Sequence, residues 1–386
     1  MSRIDTRRSL SLALAWLALW SCGGPSDVSS EAEHATPHAP VLPSSECAAL
    51  WDTEIATSFV DLLKRTTSRE HPVWIDLRLS DPSYVLSAGQ TEAGRWCLGL
   101  FAGGRAVDFE DLPAEPAWST SLYGFYFGQP RTDRSTGEVT DDTGQPAVVH
   151  TWLEEHGVEH AVLAPVDPTG LPFEIPALLK VQLVAHEAFH LLVQMPVWNG
   201  RKGHWPAWDL QPDRTGVRRC FGEDEEITGL YAAEREALAS TAEALLDGDR
   251  SAACRHATSA LTLEAERRSE IDARGLRVQR DEETVPCREA EDIWEAIEGT
   301  ADYASWLPLF ESGFATRDQL LRRYRAQQAD GFYLTGAIKM HAAQVLRESS
   351  PRDLWQDVAA SHSAAEGSPH ALFAAAVADA CGATGD

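Results

Sequence analysis

Residues 181–194 read Val-Gln-Leu-Val-Ala-His-Glu-Ala-Phe-His-Leu-Leu-Val-Gln and contain the pattern H-E-x-x-H as His186, Glu187 and His190. On a helix, positions four apart lie about 40° apart on one face, so two imidazoles at that spacing can grip a single ion. The carboxylate between them then stands beside the ion as a base. Two nitrogen ligands with an adjacent acid suit metal-assisted hydrolysis, and one Zn2+ ion is the expected cofactor. Pro176 near a first turn and Pro196 just past the end favour a helix here. Leu183, Val184, Phe189, Leu191, Leu192 and Val193 surround the motif and predict that this helix is buried. Buried imidazoles and a buried acid need partners, because unpaired polar groups are costly to remove from water. The plainer reading is a structural helix whose core histidines are satisfied by neighbours.

Catalytic zinc takes three protein ligands and keeps one open position, so a further ligand must come from elsewhere. Residues 191–200 contain no histidine, which excludes the third histidine of the metzincin pattern. Two carboxylates compete. Glu234, on a helix predicted from Glu226 to Asp247, falls in the middle of a face made by Ile227, Leu230, Tyr231, Leu238, Ala242 and Leu245. An acid there needs a metal, a cation or a proton. Glu236 points the opposite way, to the surface. Glu298 lies in Glu295-Ala-Ile-Glu298-Gly-Thr-Ala-Asp302-Tyr303, and small residues around it would let its helix approach the histidine-bearing one. Against it, Glu291, Glu295, Glu298 and Asp302 form one stripe turned away from Ile293, Ile297 and Ala304, and such stripes are ordinarily solvated.

H-E-x-x-H together with the downstream E-G-x-A-x-Y at 298–303 resembles the two motifs of gluzincin metallopeptidases, the clan of thermolysin and the zinc aminopeptidases. The resemblance implies a zincin-like fold, with Glu298 as the third metal ligand and Asp302, one turn later, orienting a ligating histidine. It implies hydrolysis of peptide bonds by attack of zinc-bound water assisted by Glu187, with peptides or proteins as substrates. Tyr303 and Tyr333 are candidate donors to the developing oxyanion, a role that some clan members give to Tyr or His; for each the alternative is a packed aromatic. His204 and His341 are weaker candidates. The interval between His190 and Glu298 exceeds that of thermolysin-like enzymes and would hold an inserted helical hairpin at 226–280. The resemblance covers two short motifs and says nothing of residues 46–175.

Elements that would position these residues follow from the patterning. Residues 46–65 fit an amphipathic helix, with Ser45 as a cap and Trp51, Ile55, Phe59, Leu62 and Leu63 on one face. Val73, Ile75, Leu77 and Leu79 alternate with Trp74, Asp76 and Arg78, a strand's period of two. Tyr84–Ala88 and Arg95–Phe109 continue this character, the second folded at Gly103-Gly104, and Ser121–Phe127 is an aromatic-rich strand. Gln129–Pro146 is expected to be a loop. His156, Glu159 and His160 spell the inverted zinc motif, but Gly157 interrupts it, so a helix end followed by a strand at 158–164 is the better reading. From 176 onward the chain is expected to be almost entirely helical. The predicted class is α+β: a strand-rich lobe at 46–175 packed on a mainly helical lobe at 176–386 that carries the H-E-x-x-H helix.

The N-terminus carries an address. Arg3, Arg7 and Arg8 precede an apolar run from Leu10 to Trp20, too short to span a bilayer, so residues 1–21 are an expected export signal. Leu19-Trp20-Ser21-Cys22 resembles the bacterial lipoprotein box, which implies a lipidated Cys22, and Gly23 after it suggests the outer membrane facing periplasm or surface. Trp20 departs from the usual second position of that box. Residues 22–45, rich in Gly, Pro, Ser and Ala, are a predicted tether. The chain has 59 acidic against 33 basic residues, a net charge of −26, which argues against nucleic-acid binding and against docking on anionic lipid. Membrane contact is therefore expected only through the lipid anchor. Beside Cys22 stand Cys47, Cys97, Cys220, Cys254, Cys287 and Cys381, an even set that suggests disulfides without fixing their pairing. The competing class to a peptidase is a non-catalytic exported lipoprotein acting as a binding or assembly factor.

Overall fold

The computed structural model of the 386-residue chain describes residues 45–50, 84–102, 105–116, 124–127, 131–132, 139–140, 147–158, 160–163, 177–190, 194, 212–222, 224–280, 282–311, 313–326, 331–360 and 364–382. The expected export signal, Cys22, the tether up to residue 44 and the 72–79 strand lie outside them, as do His204 and most of the helix expected at 46–65.

A short α1 (Ser45–Ala49) precedes β1 (Tyr84–Gln90), β2 (Trp96–Ala102) and β3 (Arg105–Leu112), an antiparallel meander in which Ala102 pairs with Arg105 across the expected Gly103-Gly104 turn. Then come β4 (Gly124–Phe127), the two-residue β5 (Arg131–Thr132) and β6 (Val139–Thr140), α2 (Ala147–Glu155) and β7 (His160–Leu163). The main sheet has the order β3-β2-β1-β7-β4; β1 and β7 run parallel and the other neighbours antiparallel. Where 129–146 was expected to be only loop, β5 and β6 pair with each other.

Side chains of β2 alternate between two cores, as strand geometry requires. Leu98 and Leu100 join Trp152 and Leu153 of α2 on one side. Cys97 and Phe101 join Ala185 and Phe189 and the helices beyond on the other. The sheet is thus covered on both faces. The inverted motif is a helix end: α2 stops at Glu155, Gly157 takes φ +65° and β7 begins at His160. His156 accordingly contacts Asp108, its Nε2 3.2 Å from the carboxylate.

The remaining chain is helical: α3 (Ala177–Phe189), α4 (Arg214–Gly222), α5 (Glu225–Leu246) and α6 (Arg250–Ala273). After β8 (Arg277–Arg280) and β9 (Glu283–Pro286), α7 (Cys287–Trp294) runs through a π-helical turn (Glu295–Gly299) into α8 (Thr300–Glu311). α9 (Arg317–Tyr324), α10 (Gly331–Arg347), α11 (Pro351–Ala360), α12 (Ala364–Gly367) and α13 (Pro369–Cys381) complete it. The starts are capped as the sequence allows: the Asp224 carboxylate accepts from the N–H groups of Glu226 and Ile227, and Ser368 precedes Pro369. α5 and α6 form a helical hairpin, with one correction to the expected span: residues 277–280 are strand, paired with β9. Disulfides join Cys47 to Cys97, Cys220 to Cys287 and Cys254 to Cys381, in keeping with an exported protein. The second brackets the hairpin at its base and the third ties it to α13. Among the described residues no helix is long and apolar enough to cross a membrane.

A second correction concerns the small residues beside Glu298. Gly299 faces α10, not the histidine-bearing helix: a Cβ built on it would stand 2.6 Å from Cα of Gly336, and one on Gly336 would stand 2.8 Å from Cα of Gly299. The π turn crosses α10 backbone to backbone, and neither glycine can be replaced without moving a helix. Gly299→Ala should therefore destabilise the fold by about 1–3 kcal/mol, as overpacking does, read from urea unfolding midpoints.

Candidate metal centre

His186 lies in α3; His190, just past its last α-helical residue, and Gln194 both have π-helical geometry. Both imidazoles are buried and stand edge to face, ring centres 4.6 Å apart. Their Nε2 atoms are 3.0 Å from each other, and Oε2 of Glu298 lies 3.0 Å from the first and 3.2 Å from the second. Three donor atoms from two separate elements thus meet at one point. A Glu187 carboxylate oxygen lies within 4.8 Å of nitrogens on both rings, and the group His186, Glu187, His190 can hold a metal ion. Ligands about 2.0–2.1 Å from a tetrahedral metal are roughly 3.4 Å apart. The observed triangle is only slightly tighter than that, so the residues fit a small divalent cation.

Electrostatics point the same way. Burial disfavours the charged form of His190, but the Glu298 carboxylate outweighs it and raises the imidazole pKa to about 9. Burial would raise Glu298, yet His190 and His186 hold it well below the usual carboxylate range. Two ring nitrogens at 3.0 Å facing one carboxylate oxygen need a positive charge between them, supplied by a proton or a metal.

Gln194 fixes which nitrogen of His190 points inward. Its Nε2 donates to the carbonyls of Ile297 (3.0 Å) and Ala296 (3.4 Å), which turns Oε1 toward Nδ1 of His190 at 2.5 Å. Nδ1 therefore carries a hydrogen, and Nε2 is the nitrogen that would offer its lone pair to a metal once its own proton is displaced. The same side chain bridges the two ligand-bearing elements. Asp302, the expected orienting acid, has Oδ1 3.8 Å from Nδ1 of His186, beyond hydrogen-bond range. Gln182 donates to Asp302 at 2.9 Å, and Arg323 reaches both carboxylate oxygens, at 2.9 and 3.1 Å.

Tyr333 is brought to the site: its ring stacks on His186 at 5.6 Å and 24°, and its hydroxyl oxygen accepts from Arg214 at 2.8 Å. Tyr303 is not. It is buried in the core and its hydroxyl donates to Gln344 on α10, because α8 turns that position away from α3. Glu234 is not a ligand of this centre either: its requirement for a positive partner is met by Nε of Arg267 at 2.7 Å. His341 is buried beside the Tyr324 hydroxyl at 3.0 Å, and burial lowers its pKa to about 4.

Gln194, Gln182, Arg323 and Arg214 were missed in the sequence. Two of them left a signal: Gln182, His186, His190 and Gln194 recur at intervals of four in a mainly apolar segment. Arg214 and Arg323 arrive from other helices, with nothing local to mark them. No family model, curated protein or solved structure matches the chain.

Behind the centre, the acidic stripe is buried rather than solvated, since cations from other helices face it. Lys339 of α10 bonds Glu264 and Glu295 at 2.8 Å, Arg267 of α6 bonds Glu234 and Glu291, and Arg268 pairs with Asp292 and Glu264 at 2.8 Å. These carboxyl groups outnumber the permanent cations bonded to them. Burial, opposed by Arg267, raises the Glu234 pKa to about 7; burial, opposed by Lys339, does the same for Glu295. A carboxyl raised in this way keeps its proton in the folded chain where the unfolded chain has released it, so its contribution to stability is lost as pH climbs through the raised value.

Two expectations follow from this geometry. Gln194→Leu, with no ligand altered, should weaken affinity for a divalent metal about 10–100-fold, measured by competition with a chromophoric chelator. Glu234→Gln should lose less stability than the parent between about pH 5 and about pH 8, read from urea unfolding at the two values.

Proposed function

We propose that the protein is a zinc-dependent metallopeptidase of the gluzincin kind, with a zincin-like arrangement of its sheet and helices. The observation that carries this reading is the meeting of His186 Nε2, His190 Nε2 and Glu298 Oε2 within 3.2 Å of one another, with Glu187 beside them. His186, His190 and Glu298 would hold the ion. Zinc bound there would acidify a water molecule and polarise the carbonyl of a peptide bond. Glu187, beside the ligands, would serve as the base that accepts a proton from the attacking water and passes it to the departing amine. Tyr333 is the donor to the developing oxyanion: Arg214 donates to the phenolic oxygen, which strengthens the O–H as a donor in turn. Tyr303, bonded to Gln344, has no part in the chemistry.

The expected surroundings fit an extracytoplasmic hydrolase. Three disulfides support export, and the lipoprotein-like Cys22 with its tether supports an outer-membrane anchor as the sole attachment to lipid. The strongly acidic chain favours peptide or protein substrates over nucleic acid.

Two substitutions test the assignment. Glu187→Gln should keep stoichiometric zinc and lose peptide hydrolysis by at least about 100-fold, whereas Glu298→Ala should lose the metal itself. Full peptidase activity in Glu187→Gln defeats the mechanism, and purified parent protein that takes up no zinc leaves a binding or assembly lipoprotein as the reading.

A further inference from the structure

We propose that Arg323 and Gln182 are positioning residues of the metal centre: from two different helices they clamp Asp302 against the back of His186 and thereby set metal affinity. This rests on the zinc-centre reading above.

Asp302 is 1% exposed, and its carboxylate carries three N–H contacts. Oδ1 accepts from Gln182 Nε2 at 2.9 Å and from Arg323 Nη2 at 2.9 Å, and Oδ2 accepts from the same Arg323 nitrogen at 3.1 Å. Gln182 is itself fixed, since its Nε2 also donates to the Ser305 hydroxyl oxygen at 2.8 Å, and that hydroxyl donates to the Asp302 carbonyl. The carboxylate is therefore held by partners from two helices.

On its other side stands His186. Its Nδ1 is buried, makes no hydrogen bond among the described residues, and lies 3.8 Å from Asp302 Oδ1. An ion on Nε2 requires the hydrogen to be on Nδ1, and that N–H has one acceptor in front of it. About 1 Å of approach converts the present separation into a hydrogen bond. How well His186 presents its lone pair then depends on where Asp302 is held, and Arg323 and Gln182 decide that. Arg323 comes from α9, whose start is locked by a reciprocal cap between Thr316 and Gln319 and whose Leu320, Leu321 and Tyr324 are buried. Three elements thus act on one imidazole: α3 carries it, α8 supplies the acid and α9 pins the acid.

Zinc affinity of the full chain, measured by chelator competition, tests this. Arg323→Met and Gln182→Leu should each weaken zinc binding about 10–100-fold, and Arg323→Lys should recover part of the loss. Arg323→Met added to Asp302→Asn should weaken it no further than Asp302→Asn alone, because the arginine acts through that carboxylate. The absorption bands of bound cobalt(II) should shift in Arg323→Met, a change that a purely structural ion pair does not produce. Parent-like zinc affinity in both Arg323→Met and Gln182→Leu overturns the proposal, as does an additive loss in the double variant. Should the parent protein bind no zinc at all, the metal centre itself falls and the clamp with it; a parent that binds while the variants bind equally well removes the clamp alone.

Discussion

Glu298 is a carboxylate drawn out of water, and the side of it that matters faces two imidazole nitrogens at 3.0 and 3.2 Å. Taking such a group into a protein interior costs several kcal/mol unless opposite charge and hydrogen-bond donors replace its hydration. Here the replacement comes from another element altogether, α3, so the attraction between Glu298 and the histidines also holds the π turn to α3. Either side without the other leaves an unsatisfied polar group in the core. Gln194 reinforces the same seam, bonding His190 with one end of its amide and the carbonyls of Ala296 and Ile297 with the other.

Two of the elements that carry these residues leave regular α-geometry where they do so. His190, Gln194 and Glu298 all have π-helical geometry. A π turn places an extra residue in the ring between hydrogen-bonded groups and redirects the side chains that follow it. Such turns cost helix regularity and persist where surrounding contacts over-determine them. The Gly299–Gly336 crossing supplies that constraint on one side, since α10 presses directly on the π turn without intervening side chains.

The histidine pair and the acid between them were legible from helical spacing, whereas Glu298 and Asp302 were named through the gluzincin-like E-G-x-A-x-Y; the structure brings these side chains to one place. Gln182 and Gln194 belonged to the same four-residue stripe and could have been read from it. What local spacing does not carry is the identity of a partner on a remote helix. Glu234 was correctly recognised as an acid in need of compensation, yet only the packing of α5 on α6 reveals that Arg267 provides it. The Glu291–Asp302 stripe left two readings open for the same reason: a row of acids has one appearance whether water or a cation stands opposite. Tyr303 differs again, since the oxyanion role needs a direction as well as a residue type, and its hydroxyl is bonded to Gln344. The strand order of the sheet, with β7 inserted between β1 and β4, also has no local signature.

The long interval between His190 and Glu298 acquires a physical purpose from this arrangement. The α7–π–α8 stretch carries Glu291, Asp292, Glu295 and Glu298 on successive turns, and such a helix cannot be buried on its own acids. The α5–α6 hairpin delivers Arg267 and Arg268 to Glu291 and Asp292, and α10 delivers Lys339 to Glu295. With those three cations spent on the rear of the stretch, Glu298 at its front is left to the histidines. The hairpin also brings Glu234 and Glu264, so the network is over-supplied with carboxyl groups, and burial pushes Glu234 and Glu295 up to about 7. Cys220–Cys287 closes the chain across the base of the hairpin and Cys254–Cys381 fastens its second helix to α13. Those links limit how far the hairpin can move before its arginines lose their partners, which makes the inserted helices part of what holds the third metal-ligand candidate in place.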